Sequence, residues 1–144
     1  NIGDLPSRFE SLDNQTRDLR RELSVAWRQL LPIRAERVVA RASSDANRNV
    51  CLVEEDVPDQ KLAGELAGIV ADRVKMVTLL SYDGRLLLAT PSDSQLHAGD
   101  LAKRLAEQTG LRGGGSARLA QLGGLDVTRM NDYRDAVERL IQDD

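Results

Sequence analysis

The sequence predicts an α+β protein in which a long N-terminal coiled-coil-like helix, kinked near Pro32, precedes a small mixed α/β domain with a central sheet of about four strands. Three observations predict it. Phe9, Leu12, Thr16, Leu19, Leu23, Ala26, Leu30 and Ile33 step by three and four residues, and all but Thr16 are apolar, which is the seam of a coiled coil. Beyond residue 48 the pattern changes to short apolar runs alternating with helical spacings, the signature of strands and helices in one small unit. Asp83-Gly84 between two such runs marks a tight hairpin.

Taken in order, Asp4 suits the positive end of the first helix and Pro6 lies in its first turn, where a missing N–H does least harm. Pro32 removes one ladder bond, so a kink or break is expected near Leu30 and Leu31, with a continuation to about Arg41. The polar stretch at 43–47 reads as a linker, which divides the chain into an arm and linker at 1–48 and a globular domain at 49–144. A strand is expected over 49–54. Pro58 opens a helix whose Leu62, Leu66, Ile69 and Val70 share a face, and strands follow over 76–82 and 85–90. A helix over 98–108 has Asp100 in its first turn and Gly110 as its C-terminal cap. Gly113, Gly114 and Gly115 read as a loop running into a short strand, and a last helix over about 128–142 packs Tyr133, Val137 and Leu140.

Composition narrows the function. The 144 residues are 41% hydrophobic and 30% charged, which suits one modest core, and no apolar run approaches the roughly 20 residues a bilayer span needs. The absence of an initial Met suggests an excised fragment, and the lack of an export signal with a single cysteine, Cys51, points to the cytoplasm. One histidine, His97, beside one cysteine leaves no Cys/His zinc set and no hydrolytic triad, so no metal, cofactor or catalytic residue is expected. Cys51 reads as a small buried hydrophobe and His97 as an exposed loop residue. Glu54, Glu55 and Asp56 read as helix-initiating and solvated rather than metal-binding. A net charge of −3 means that any polyanion must be held by a local patch.

Ala98-Gly99-Asp100-Leu101, then Gly113-Gly114-Gly115, then Ala120-Gln121 with Gly123-Gly124, resemble the C-terminal end of alanyl-tRNA synthetases. In that family an AGDL helix start precedes a glycine run and an AQ-x-GG element. Leu5-Pro6-Ser7-Arg8 is similar to the LP-x-R stretch that opens its long helix, so the resemblance covers nearly the whole chain. DHH-type phosphoesterases share the domain as their DHH-associated domain. Their glycine run is followed by a histidine and an AAG element, whereas Ser116, Ala117 and Arg118 follow here, so the synthetase branch is the better match. That branch commonly has Arg-Pro or Lys-Pro where this chain has Ser116-Ala117. The resemblance implies a C-Ala domain, not itself catalytic, that binds the outer corner of alanine-specific tRNA and helps couple aminoacylation to editing. Its implied partners are tRNA, a second copy as a homodimer, and the catalytic and editing domains of a parent alanine-tRNA ligase. Two alternatives stand beside it: homodimerisation through the N-terminal helix, and a diverged domain that binds DNA.

Bottom-up, the glycine run has two readings. Its backbone N–H groups can converge on an anionic oxygen, with Arg112 and Arg118 flanking and no acidic residue between Gln108 and Leu125, or the glycines permit a close turn. No Gly-Lys-Ser/Thr follows, so a Walker loop is excluded. Lys103, Arg104, Ser116 and Gln121 complete the candidate nucleic-acid set, Gln121 either touching a ribose or base edge or bridging backbone. On the arm, Arg17, Arg21 and Arg28 form a basic ridge that either tracks phosphates or is a solvated face neutralised by Asp18 and Glu22. The association seam is Phe9, Leu12, Leu19, Leu23, Ala26 and Leu30, with Thr16 as its polar position and Trp27 beside it as a packing residue. Four aromatic residues in the chain are too few for a base-stacking platform, so recognition by shape and phosphates is the expected mode.

Overall fold

The computed structural model describes residues 5–42 and 49–142, with the side chains of 5–10 and 42 outside that description. The expected linker at 43–47 and the side chain of Phe9 therefore lie outside the described residues. Helix α1 runs over Leu5–Ala42 and is followed by β1 (Val50–Glu54), α2 (Gln60–Val74), β2 (Val77–Tyr82), β3 (Arg85–Ala89), α3 (Ala98–Thr109), β4 (Arg112–Gly115), β5 (Leu119–Gly123) and α4 (Met130–Gln142). A 3-10 turn over Val127–Arg129 leads into α4. The sheet has five strands in the order β1-β2-β3-β5-β4, one more than expected. The extra strand is the glycine run, which pairs with β5 instead of forming a loop.

Only β1 and β2 are parallel, because α2 supplies the crossover that parallel neighbours need. β2 and β3 form the expected hairpin, whose Asp83 (φ 48°) and Gly84 (φ 71°) both occupy the left-handed region that a two-residue hairpin turn demands. Alternation along the strands divides the core in two. Cys51, Val53, Leu80, Tyr82, Leu87 and Ala89 face α1 and α2, whereas Val50, Val77, Leu79, Leu86, Leu88, Ala120 and Leu122 face α3 and α4. Cys51 is buried, as its strand setting predicts. α2 buries Leu62, Leu66 and Val70 with Ala63, Ala67 and Ala71, so its packed face is centred on the alanines, and Ile69 is turned to solvent.

Helix α1 passes through Pro32 as one element. Trp27, Leu31, Ala35 and Val38, spaced on one face, are buried against the α2 side of the sheet. Burying the three larger side chains contributes roughly 5–8 kcal/mol, which exceeds the roughly 3 kcal/mol that an interior proline costs. Polar contacts fix the same docking: Ser24 donates to Asp59 Oδ2 at 2.9 Å while Asp59 Oδ1 caps α2 by accepting from the Leu62 N–H. Arg34 lies 3.9 Å over the Trp27 ring and pairs with Glu55 at 3.3 Å. Trp27 is thus a packing residue against its own domain.

Candidate nucleic-acid interface

The sequence motif at the start of α3 has a local purpose. All four leading N–H groups are occupied: Ala98 and Gly99 donate to the carbonyls of Ala117 and Ser116 at 2.8 Å, Asp100 donates to His97 Nδ1, and Leu101 to the His97 carbonyl. His97 therefore caps α3, a role its sequence setting did not reveal. An anion has no free amide to take at this helix start. A Cβ at Gly99 would stand 2.6 Å from the Gly115 carbonyl oxygen, so only glycine lets α3 lie this close to β4.

β4 lies at the edge of the sheet, and every residue from Arg112 to Arg118 is exposed. Its glycines are not equivalent. A Cβ at Gly113 would overlap the Gln121 carbonyl oxygen and one at Gly115 would overlap the Leu119 carbonyl oxygen, so both are required by the close approach of β5. At Gly114 a Cβ would meet nothing within 4 Å. Of the two sequence readings, close approach accounts for Gly113 and Gly115, while Gly114 carries no packing duty. Gln121 is half-buried on β5 opposite Gly114. Ser116 is spent within the turn, its N–H and Oγ both donating to the Leu119 carbonyl at 2.9 and 3.2 Å.

The two arginines differ. Arg112 begins β4 and is exposed, with no ion pair among the described residues. Arg118 lies in the turn beyond the other end of that strand, so the two guanidinium groups do not start from the same end of the glycine run. Arg118 donates to both oxygens of Asp72 on α2 at 3.2 and 3.5 Å, so the acid-free stretch in sequence has a carboxylate beside it in space. Nothing local marks that approach, because 46 residues separate the pair. Asp72 is held below the usual carboxylate range first by the Ser92 backbone N–H, which donates to it at 2.7 Å, then by the Ser92 side chain and by the Arg118 and Lys75 charges, against an opposing desolvation.

Lys103 and Arg104 lie on the outer side of α3. They line an open groove of about 860 Å³ together with His97, Asp100, Glu107 and Ile141, so two carboxylates share their surface. The structure therefore does not merge all four cations into one patch. On the arm, Arg17 and Arg21 are exposed and Arg28 pairs with Glu65 at 3.4 Å, drawing it to the domain. The seam residues Leu12, Leu19, Leu23 and Leu30 are 58, 65, 49 and 44% exposed, and Ala26 is exposed with them. The helix thus packs one face on its own domain and presents a second to solvent. Among the described residues no group of His, Cys, Asp or Glu is placed to hold a metal ion, and no helix is long and apolar enough to cross a membrane.

A helical arm, a five-stranded mixed sheet covered on both faces and a bare glycine edge define an α+β domain that offers surfaces rather than an enclosed cleft. The chain belongs to the DHHA1 domain family, whose model matches residues 34–143. It is 32% identical over 139 residues to the alanine-tRNA ligase of Saccharopolyspora erythraea, covering 84% of this chain and 15% of that protein. The alanine-tRNA ligase of Methanosarcina acetivorans is 32% identical over 140 residues, with 89% of this chain and 14% of the relative covered. The chain thus spans about a seventh of these relatives' length. In fold it is similar to RecJ from Thermus thermophilus, solved with Mg2+, at a TM-score of 0.68 and 16% identity over 86% of this chain and 19% of the other.

Proposed function

We propose that this domain binds tRNA for a parent alanine-tRNA ligase, through the exposed edge of β4 and the turn that follows it. The segment itself is read as a binding element and not a catalyst. The observation that carries the reading is Gly114, an edge-strand residue with open space where a side chain would be, in a run of exposed residues that starts at Arg112, which has no ion pair among the described residues. An edge strand leaves its alternate N–H groups outside the ladder, and the missing side chain at Gly114 lets a phosphate come close to them. Lys103 and Arg104, in a groove shared with Asp100 and Glu107, and Ser116, whose N–H and hydroxyl are spent on the Leu119 carbonyl, are secondary to that edge, while the half-buried Gln121 lies opposite Gly114. The similarity to alanine-tRNA ligases supports tRNA as the ligand class of this reading. Contact with the outer corner of the tRNA, and coupling of aminoacylation to editing, go with that assignment.

Filter binding of folded tRNA at several salt concentrations tests it. Arg112→Ala should weaken binding and lower the salt slope by about one unit, and Gly114→Asp should abolish binding while leaving the fold intact. Binding unchanged in both variants overturns the assignment. Equal competition by duplex DNA would show the diverged ligand instead.

Self-association is the second reading, and the exposed Leu12, Leu19, Leu23 and Leu30 favour it. Light scattering of Leu19→Glu and Leu23→Glu should show loss of a homodimer. A wild-type chain that is monomeric at high concentration refutes this reading.

A further inference from the structure

We infer that α1 pairs with α1 of a second copy in antiparallel orientation, in the register that sets Leu12 against the partner's Leu23 and Thr16 against the partner's Leu19. The inference rests on the association reading and adds direction and register to it.

The docking of α1 limits the choices. From Trp27 to Val38 one face of the helix is buried in its own domain, whereas Ser11 to Leu23 has no buried residue. The seam lies about 100° around the helix from the docked face, at ~100° per residue. A parallel pair would bring Glu22 to the partner's Trp27 and Gln29 to the partner's Arg34, since flanking positions meet one heptad apart in that geometry. Trp27 is buried and Arg34 is stacked on it and paired with Glu55, so those positions are taken. In the antiparallel register proposed, the overlap runs from Leu12 to Leu23, and the domain-bound stretch lies beyond it.

Charge selects the register. Between the Leu12 layer and the Thr16 layer, the flank of one helix carries Asp13 and that of its partner carries Arg20, giving two opposite-charge pairs related by symmetry. Asp13 and Arg20 are exposed and have no ion pair among the described residues. Sliding the helices by one heptad sets Arg20 on the partner's Arg20 and Glu22 on the partner's Glu22. Sliding the other way sets Asp13 on the partner's Asp13. Both alternatives place like charges together, so only the intermediate register is complementary. The Thr16 hydroxyl donates to the Leu12 carbonyl at 2.9 Å, so its hydrogen bond is satisfied within the helix when the seam closes.

Charge reversal in separate copies tests the inference by sedimentation equilibrium at low salt, with circular dichroism to check helix content. Asp13→Arg and Arg20→Asp should each raise the dimer dissociation constant about tenfold, because two attractive contacts become repulsive. An equimolar mixture of the two variants should return to within about threefold of wild type, since each Arg then meets an Asp. A monomeric wild type ends the association reading and this inference with it. A dimeric wild type whose variants are not rescued by mixing, or in which Arg20→Asp dimerises normally as a parallel pair would, overturns the antiparallel register alone.

Discussion

Replacing each glycine of β4 by alanine separates packing from binding. At Gly115 the new methyl would overlap the Leu119 carbonyl oxygen and stand 2.8 Å from the Ala120 side chain, with no flexible group able to yield. β4 must then move away from β5 and loosen its contact with α3, a cost of about 1–3 kcal/mol, as for other overpacked sites. For a domain of this size that lowers Tm by about 3–9 °C, taking roughly 3 °C per kcal/mol. At Gly114 the methyl meets open space and the backbone has no positive φ, so alanine should be neutral or stabilise by roughly 0.4–1 kcal/mol through the unfolded state. Urea titrations followed by circular dichroism measure both, and tRNA binding to the stable Gly114→Ala protein then reports on the seat itself. Equal stability of the two variants would refute the division of the glycines into packing and open positions.

Leu30 and Leu31 are neighbours with opposite settings: Leu31→Ala should cost about 2–5 kcal/mol and Leu30→Ala in the monomer about 0.5 or less, and comparable losses in thermal melts would contradict the docking of α1. Asp72→Asn should release Arg118 and steepen the salt dependence of tRNA binding by about one unit, so an unchanged slope would show that Arg118 never reaches the ligand. Asp72 and Asp126 are both held below the usual carboxylate range in the folded chain, Asp72 chiefly by the Ser92 N–H and Asp126 by the Thr128 hydroxyl and N–H. A carboxylate with a lowered folded pKa adds stability that is full above the unfolded value and is lost as pH falls through the folded one. Stability should therefore fall below about pH 4, and the doubly substituted Asp72→Asn, Asp126→Asn chain should show a shallower acid loss in urea titrations from pH 5 to pH 2.

What is legible in the sequence is whatever local chemistry decides. Asp83-Gly84 marks a hairpin because both residues tolerate positive φ, and Gly110 ends α3 in the left-handed conformation expected of its position. The glycine run reads as a loop but folds as a strand, because a strand of glycines has no side-chain alternation and its reason for existing lies on β5 and α3. Pro32 announces only its local cost, whereas the burial of Trp27 and Leu31 that outweighs it belongs to α2 and the sheet. His97 lacks the usual Ser, Thr, Asp or Asn identity of a cap, and Asp72 is brought to Arg118 only by tertiary structure.

The position of the candidate seat follows from which backbone groups the fold has already used. A helix start is the usual place for a phosphate, yet α3 spends its leading amides on Ser116, Ala117 and His97, and that same spending anchors the turn after β4 from behind. Thr90 reinforces the anchor, its N–H donating to the Arg118 carbonyl at 3.0 Å and its hydroxyl to that of Ala117 at 3.2 Å. The turn is therefore held by carbonyl acceptors on its inner side, and the exposed outer edge is the part left for a ligand. An anchored edge loses little conformational entropy when a polyanion docks, so the affinity lost in Arg112→Ala should appear mainly as faster dissociation. Loosening the anchor with Thr90→Val, which removes the hydroxyl bond to Ala117 and keeps the backbone bonds and every exposed residue in place, should weaken tRNA binding with no change in salt slope. A steeper or shallower slope in that variant would mean that the turn contributes charge contacts rather than a rigid frame.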